Sequence, residues 1–361
     1  MLEGHVFRTF LRAELQQSVV FQLHEFFHGL SAPAFLFGAG LTFVISTRRR
    51  WIEYHHWGEP VAARMRRFLL IIGLGLVIHL PYFSMRKILI DASTADLLQF
   101  FQSDVLVCIG IGLILLQGSV FLFRTETRFY VAVSLITVFI CFLTPFVWDV
   151  DFLKFLPLPA AQLFNGIHGS PFPLFPFVGF LFAGAIVSWE FLAAGDRGDE
   201  RQFTRRLALA GEVLLLTGIL LDVLPVRVYP TYNYWFTSPA YFLVRVGALM
   251  LITCGFWHLA CRFRETPGLL TVLGRESLFV YVTHLFLLYG SAVNPQLNLQ
   301  VILGHDLDFG AAVTTLFVLS GVLLACASLW NFLRRDHLAV YRILQLGGSG
   351  LFLYYFFRRD F

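Results

Sequence analysis

Four histidines, one aspartate and one arginine fall within or at the edges of runs apolar enough to dissolve in lipid: His24, His28, His79, His284, Asp104 and Arg245. A charge facing lipid is so unfavourable that such residues face a bundle interior or a water-filled cavity by default. Histidine adds chemistry to that rule, because neutral imidazole near pH 7 can take a proton from an attacking hydroxyl or amine. His24 and His28 are four residues apart and share one face of any helix that includes both. Farther along, the stretch from Leu269 to His284 sets Ser277, Tyr281 and His284 in one helical stripe, with Arg275 on the opposite side. That stripe either lines a site or makes hydrogen bonds between helices.

Other chemistries lack their residues. There is no His-Glu-x-x-His run, no Gly-x-Ser-x-Gly elbow and no P-loop. The five cysteines (Cys108, Cys141, Cys254, Cys261 and Cys326) sit in or beside apolar runs without paired spacing, as packing residues do. The pair His55-His56 reads as a solvated element of an arginine-rich loop. Arg48-Arg49-Arg50 has two readings: a topology determinant that touches lipid headgroups, or a mouth that attracts a phosphate-bearing cofactor.

The elements that must position these residues are membrane helices. Of the 361 residues, 57% are hydrophobic and 14% charged, with a mean hydropathy of +0.72, whereas a soluble domain carries about 25% charged residues. A bilayer core takes about 20 mostly apolar residues per helix. Such runs lie at 29–46, 68–85, 101–123, 129–147, 172–192, 207–224, 239–261, 269–290 and 310–332. The expected fold is all-α, a polytopic transmembrane helix bundle of about nine spans. Residues 1–340 form one domain in this reading, and 341–361 form a cytoplasmic or interfacial tail interrupted by Gly347-Gly348-Ser349-Gly350.

The connections on one side of this arrangement hold 19 basic residues, against six on the other together with the N-terminal segment. The positive-inside rule therefore assigns the arginine-rich loops to the cytoplasm. The six ionisable residues of the spans then share one depth, near the outer face. The outer loops are rich in aromatics, as in Phe152 to Pro159 and Tyr229 to Phe236, which suits headgroup level. No cleavable signal peptide is visible, since Glu3, Arg8, Arg12 and Glu14 interrupt the first apolar residues. The first span would begin outside, so a further N-terminal helix, the tenth, is expected upstream. No internal repeat of the transporter kind is present.

The run His24-Glu-Phe-Phe-His-Gly-Leu-Ser-Ala-Pro-Ala-Phe-Leu-Phe-Gly-Ala-Gly40 resembles the membrane acyltransferases that include heparan-alpha-glucosaminide N-acetyltransferase and its bacterial relatives. The acyltransferase-three group of sugar acylases is more distantly similar. Further matching stretches follow in order: Asp104-Val-Leu with Ile-Gly after it, Phe172 to Gly179 with Gly184, Ser238 to Gly247, and Leu273 to His284. The family opens with an Arg/Asp/Arg-Gly motif entering its first helix, and Met1-Leu-Glu-Gly-His5 resembles the outer end of that helix. The acidic residue that some relatives carry before the proline is absent.

The resemblance implies a bacterial inner-membrane enzyme that moves an acyl group, chiefly acetyl, from cytoplasmic acetyl-coenzyme A to a sugar hydroxyl or amine outside. His24 overlays the family's catalytic histidine, and His28 takes that place in an alternative alignment. Either residue would act as general base or as transient acyl carrier, and His284 is a third candidate. Arg48 and Arg49 would meet the phosphates of coenzyme A, with Arg245, Ser277 and Arg275 as further cofactor or oxyanion contacts. No metal is implied. The expected partners are membrane lipids and a carbohydrate acceptor, with a homodimer as the expected assembly and no nucleic acid. A transporter or flippase for a lipid-linked or small anionic substrate is the alternative, because it too would use buried charges and a cavity.

Overall fold

The computed structural model describes residues 1–224, 233–263 and 268–359. Arg227, Arg264 and residues 229–232 of the second aromatic loop lie outside that range. Numbering only helices of eight residues or more, α1 is Leu2–Phe10, α2 Val19–His28, α3 Ser31–Arg48, α4 Glu59–Ile78, α5 Val105–Phe123, α6 Glu126–Val147, α7 Leu174–Arg197, α8 Glu200–Val223, α9 Pro239–Arg262, α10 Gly268–Arg275, α11 Ser277–Tyr289, α12 Phe309–Asp336 and α13 Leu338–Arg358. The fold is all-α, and the only extended pairing among the described residues is an isolated bridge between Leu11 and Leu307.

Among the described residues six stretches are long and apolar enough to cross a membrane: Val19–Arg48, α5, α6, α7, α9 and α12. A seventh is the pair α10 and α11, bent by 74°. The two remaining expected stretches fall on α4 and α8, helices of 20 and 24 residues. Helix α4 also carries Arg64, Arg66 and Arg67 ahead of its apolar run, and α8 carries Arg206 ahead of its run with Glu212 and Asp222 within it. Leu69, Leu122, Leu135, Leu209, Leu216 and Phe317 point outward and are exposed. Apolar outer faces on helices with filled interiors are the reverse of a soluble bundle, whose outer faces are polar. The chain is an integral membrane protein.

Two compact units divide the chain: Met1–Gly29, Val77–Phe100 and Phe263–Phe361 form the first, and Leu30–Leu76 with Phe101–Arg262 the second. In the first, Val6 and Phe10 of α1 pack with Leu288 of α11 and Leu319 and Leu323 of α12, all buried. Backbone bonds from Arg12 N to Leu307 O (3.1 Å) and from Leu307 N to Phe10 O (2.8 Å) anchor the end of α1. In the second unit, α3 and α7 cross so closely that a Cβ on Gly40 would stand 1.8 Å from the Leu181 carbonyl, and one on Gly184 2.0 Å from that of Phe37. Small residues at such crossings let membrane helices bring backbones together where lipid offers no hydrophobic drive.

Three local expectations change. The helix expected over 68–85 ends at Ile78, so His79 lies in the turn after α4 and not within a span. The continuous helix over 269–290 is broken at Glu276, which removes the phase relation that set Arg275 opposite His284. Glu276 is 3% exposed and pairs with Arg334 of α12 at 2.5 Å, so an inward-drawn carboxylate sits where one helix stops and the next starts. The glycines at 347–350 do not interrupt α13, which runs unbroken through them.

Candidate active site

In the first unit, α1, α2 and α11 gather four imidazoles, two of them beside a carboxylate. Ser18 starts α2 by accepting a bond from Phe21 N at 3.2 Å, a normal N-cap. The helix then carries His24 and His28 one turn apart, their rings stacked at 5.9 Å between centroids. Arg8 of α1 donates through Nε to both oxygens of Glu25, at 2.9 and 2.8 Å, and ties α1 to α2. Gly4 permits the contact, since a Cβ there would lie 1.8 Å from His28 Nδ1.

Glu3 and Glu25 flank the histidines. Glu3 Oε1 is 3.3 Å from His24 Nε2, and Glu25 Oε1 is 3.7 Å from His24 Nδ1. The other Glu3 oxygen is 3.8 Å from His28 Nδ1. These separations lie in ion-pair range without hydrogen-bond geometry, so His24 Nδ1 and Nε2 and His28 Nδ1 are buried with no hydrogen-bond partner. The nearby His28 ring is the main cause that holds the Glu3 carboxyl well below the usual carboxylate range, and that carboxylate is ionised.

His5 and His284 complete the group. The His5 ring lies 6.1 Å from that of His28 and 5.3 Å from that of His284. Its Nδ1 is 2.8 Å from the Tyr289 hydroxyl, to which Thr9 Oγ1 also donates at 3.1 Å. Burial, reinforced by His284 and His28, pushes the His5 imidazole down to about 3, so it is neutral near pH 7. His284 Nδ1 is 3.1 Å from the Val280 carbonyl, and only a protonated Nδ1 can donate to it. The lone pair therefore sits on Nε2, which is buried and has no partner. The arrangement sets imidazole nitrogens without hydrogen-bond partners beside a carboxylate, a pattern suited to proton abstraction.

A second feature lies in the second unit, where the end of α3 meets the start of α4. A cavity of about 590 Å³ is lined by Phe43, Arg50, Tyr54, Arg64, Arg67 and Phe68 among others. Arg64 Nη1 donates to Thr47 Oγ1 (2.9 Å) and Gln117 Oε1 (3.1 Å), and Nη2 donates to Ser46 Oγ (2.9 Å). The Arg64 guanidinium also stacks 3.4 Å from the Tyr54 ring centre. Gln117 in turn donates to the Tyr54 carbonyl at 2.7 Å. This wall is tied together by hydrogen bonds and carries three arginines against one carboxylate, Glu59, with Phe43, Tyr54 and Phe68 as its aromatic members.

The residues expected from the sequence are only partly brought together. His24, His28 and His284 converge. Asp104 belongs to the second unit and caps α5, accepting from Val107 N at 2.8 Å. Arg48 does not line the cavity: it pairs with Asp196 at 2.7 Å and Glu126 at 3.6 Å and lies over the Trp189 ring. Arg49 and Arg275 are exposed and Ser277 is half-buried. Arg245 is buried in the second unit on α9. Sequence reasoning missed His5 and Tyr289, which carry no spacing signal, and Arg64 and Arg67, counted there as loop charge. Their spacing of three, which puts both on one helix face, was the available signal.

A family model for the catalytic domain of heparan-alpha-glucosaminide N-acetyltransferase matches residues 1–219. The chain belongs to that family. No curated protein and no solved structure matches it. Membership makes the chain a membrane acetyltransferase by family. The matched residues include Glu3, His5, His24, His28 and every residue named in the cavity wall, whereas Arg245, His284 and Tyr289 lie beyond them.

Proposed function

We propose that the protein transfers an acetyl group from acetyl-coenzyme A to a sugar hydroxyl or amine, with His24 as general base. The observation that carries this reading is His24 itself, a half-buried imidazole whose two ring nitrogens are both buried without a hydrogen-bond partner, with carboxylates on both sides. The ring takes the proton of the acceptor through a ring nitrogen as the acceptor's oxygen or nitrogen attacks the thioester carbonyl. The carbon–sulfur bond breaks, and the thiolate of coenzyme A leaves and is protonated. Glu3 and Glu25 stabilise the imidazolium formed in that step. His28, one turn away, is the alternative base, and His284 offers a second free nitrogen.

The arginine-lined cavity suits the donor. Arg64 and Arg67 present positive charge to phosphates, beside Arg50 that pairs with Glu53, with Phe43, Tyr54 and Phe68 as apolar and stacking surface. In this reading the membrane is a bacterial inner membrane, and the bias of basic residues supports a cytoplasmic position for this end, where coenzyme A is made, with the acceptor on the outer side.

The test is acetyl transfer from acetyl-coenzyme A to glucosamine by purified protein. His24→Ala is expected to lower kcat at least about 100-fold, roughly 3 kcal/mol of transition-state stabilisation. Coenzyme A affinity and thermal stability should stay near wild type. A larger loss in His28→Ala than in His24→Ala would move the base by one turn, and full activity in both would overturn the proposal. Acid quenching followed by mass measurement of the intact protein separates the base from an acyl carrier, because only the carrier retains the acetyl mass.

A further inference from the structure

Arg245 is 2% exposed and sits six residues past the start of α9 at Pro239, about 9 Å along the helix axis. Its Nε, Nη1 and Nη2 all lack a hydrogen-bond partner. Among the described residues no carboxylate forms an ion pair with it. The guanidinium instead faces aromatic rings, 4.0 Å from the centre of Tyr241 and 5.8 Å from that of Trp235. Tyr234 completes the group, 5.4 Å from Trp235 and 5.5 Å from Tyr241.

Stacking satisfies the face of a guanidinium and leaves its edge unsatisfied. A desolvated cation–π contact stabilises the guanidinium through its face, while each buried donor left without an acceptor is destabilising. Arginine cannot escape by losing its proton. The missing group is therefore an acceptor, and two oxygens of one anion match the parallel N–H pairs of the edge. Tryptophan and tyrosine beside a helix end mark headgroup level, where lipid phosphates lie. We infer that Arg245, with Tyr241 and Trp235, forms a binding site for a phosphate oxyanion, carried by a lipid headgroup or by a free phosphate. The site lies outside the residues matched by the family model and does not rest on the acetyl-transfer reading.

The experiment is thermal unfolding of the full chain, stripped of lipid in a neutral maltoside detergent, with three probes added separately: dioctanoyl-phosphatidylglycerol, dioctanoylglycerol and inorganic phosphate. Phosphatidylglycerol should raise Tm saturably and dioctanoylglycerol should not. In Arg245→Gln the apparent affinity for phosphatidylglycerol should fall at least about 10-fold. A rise in Tm from inorganic phosphate alone that is lost in Arg245→Gln also supports the site, and assigns it to a free ligand. An equal rise with dioctanoylglycerol, no rise with any probe, or the same response in Arg245→Gln would overturn it. Should Arg245→Gln fail to fold, Arg245→Lys, which keeps the charge and loses the paired N–H edge, carries the same comparison: a weakened phosphatidylglycerol response supports the site and an unchanged one overturns it.

Discussion

The arginine wall and the histidine cluster treat buried polar groups in opposite ways. Around Arg64, the hydroxyls of Ser46 and Thr47, the amide of Gln117 and the ring of Tyr54 meet each N–H group that points inward. Around Glu3, ring nitrogens of His24 and His28 are buried and unbonded, and so is Nε2 of His284. A satisfied network fixes a shape, whereas groups left unsatisfied keep their lone pairs for an incoming molecule. The first region reads as scaffold around a ligand space and the second as reactive groups held ready. Arg245 is the exception within its own unit: a buried arginine like Arg64, but with none of its bonds.

The sharpest way to break this contrast is Gly4→Val. Its Cβ would collide with the His28 ring, so acetyl transfer should fall more than about 100-fold, the scale of losing a positioned base. Retention of wild-type kcat in that variant would show that the cluster is not the reacting site. Next in size is Arg64→Leu, which strands Gln117 Oε1 and two hydroxyls at the cavity wall. Stability measured by thermal or denaturant unfolding in detergent should drop by about 2–4 kcal/mol, and coenzyme A affinity should weaken with it. Unchanged stability would mean that the wall is no scaffold.

Arg245→Gln should behave differently without ligand. It removes no hydrogen bond and relieves a buried charge, so Tm in lipid-free detergent should equal or exceed that of wild type. A loss as large as that of Arg64→Leu would erase the distinction between the two arginines.

The last test is the acid dependence of stability. His5 titrates near 6.5 when unfolded and is pushed down to about 3 in the fold. Between these values the unfolded chain binds the extra proton, so stability is complete above about pH 6.5 and declines as pH falls toward 3. The lowered pKa of Glu3 acts in the same direction, with loss beginning below its ordinary value of 4.5. In His5→Asn the decline between pH 6.5 and 4.5 should be shallower than in wild type, as followed by unfolding at a series of pH values.

Composition and run length alone determined that this chain is a helical membrane protein, because lipid admits only backbones that satisfy themselves and side chains that tolerate it. The same logic singled out His24, His28, His284 and Arg245, since a polar residue in an apolar run stands out without any coordinates. The spacing of four also placed His24 and His28 on one face, and their rings are stacked on α2. The sequence could not show which of these residues meet. Asp104 and Arg245 share the apolar context of the histidines but belong to the other unit, and Arg48 spends its charge on Asp196 and Glu126. Nor could it find His5, whose value depends on Gly4 letting α1 lie against α2, or the break at Glu276, which depends on Arg334 more than fifty residues away. Periodicity acts within one helix. Convergence of side chains is set by contacts between helices, and only the tertiary structure decides those.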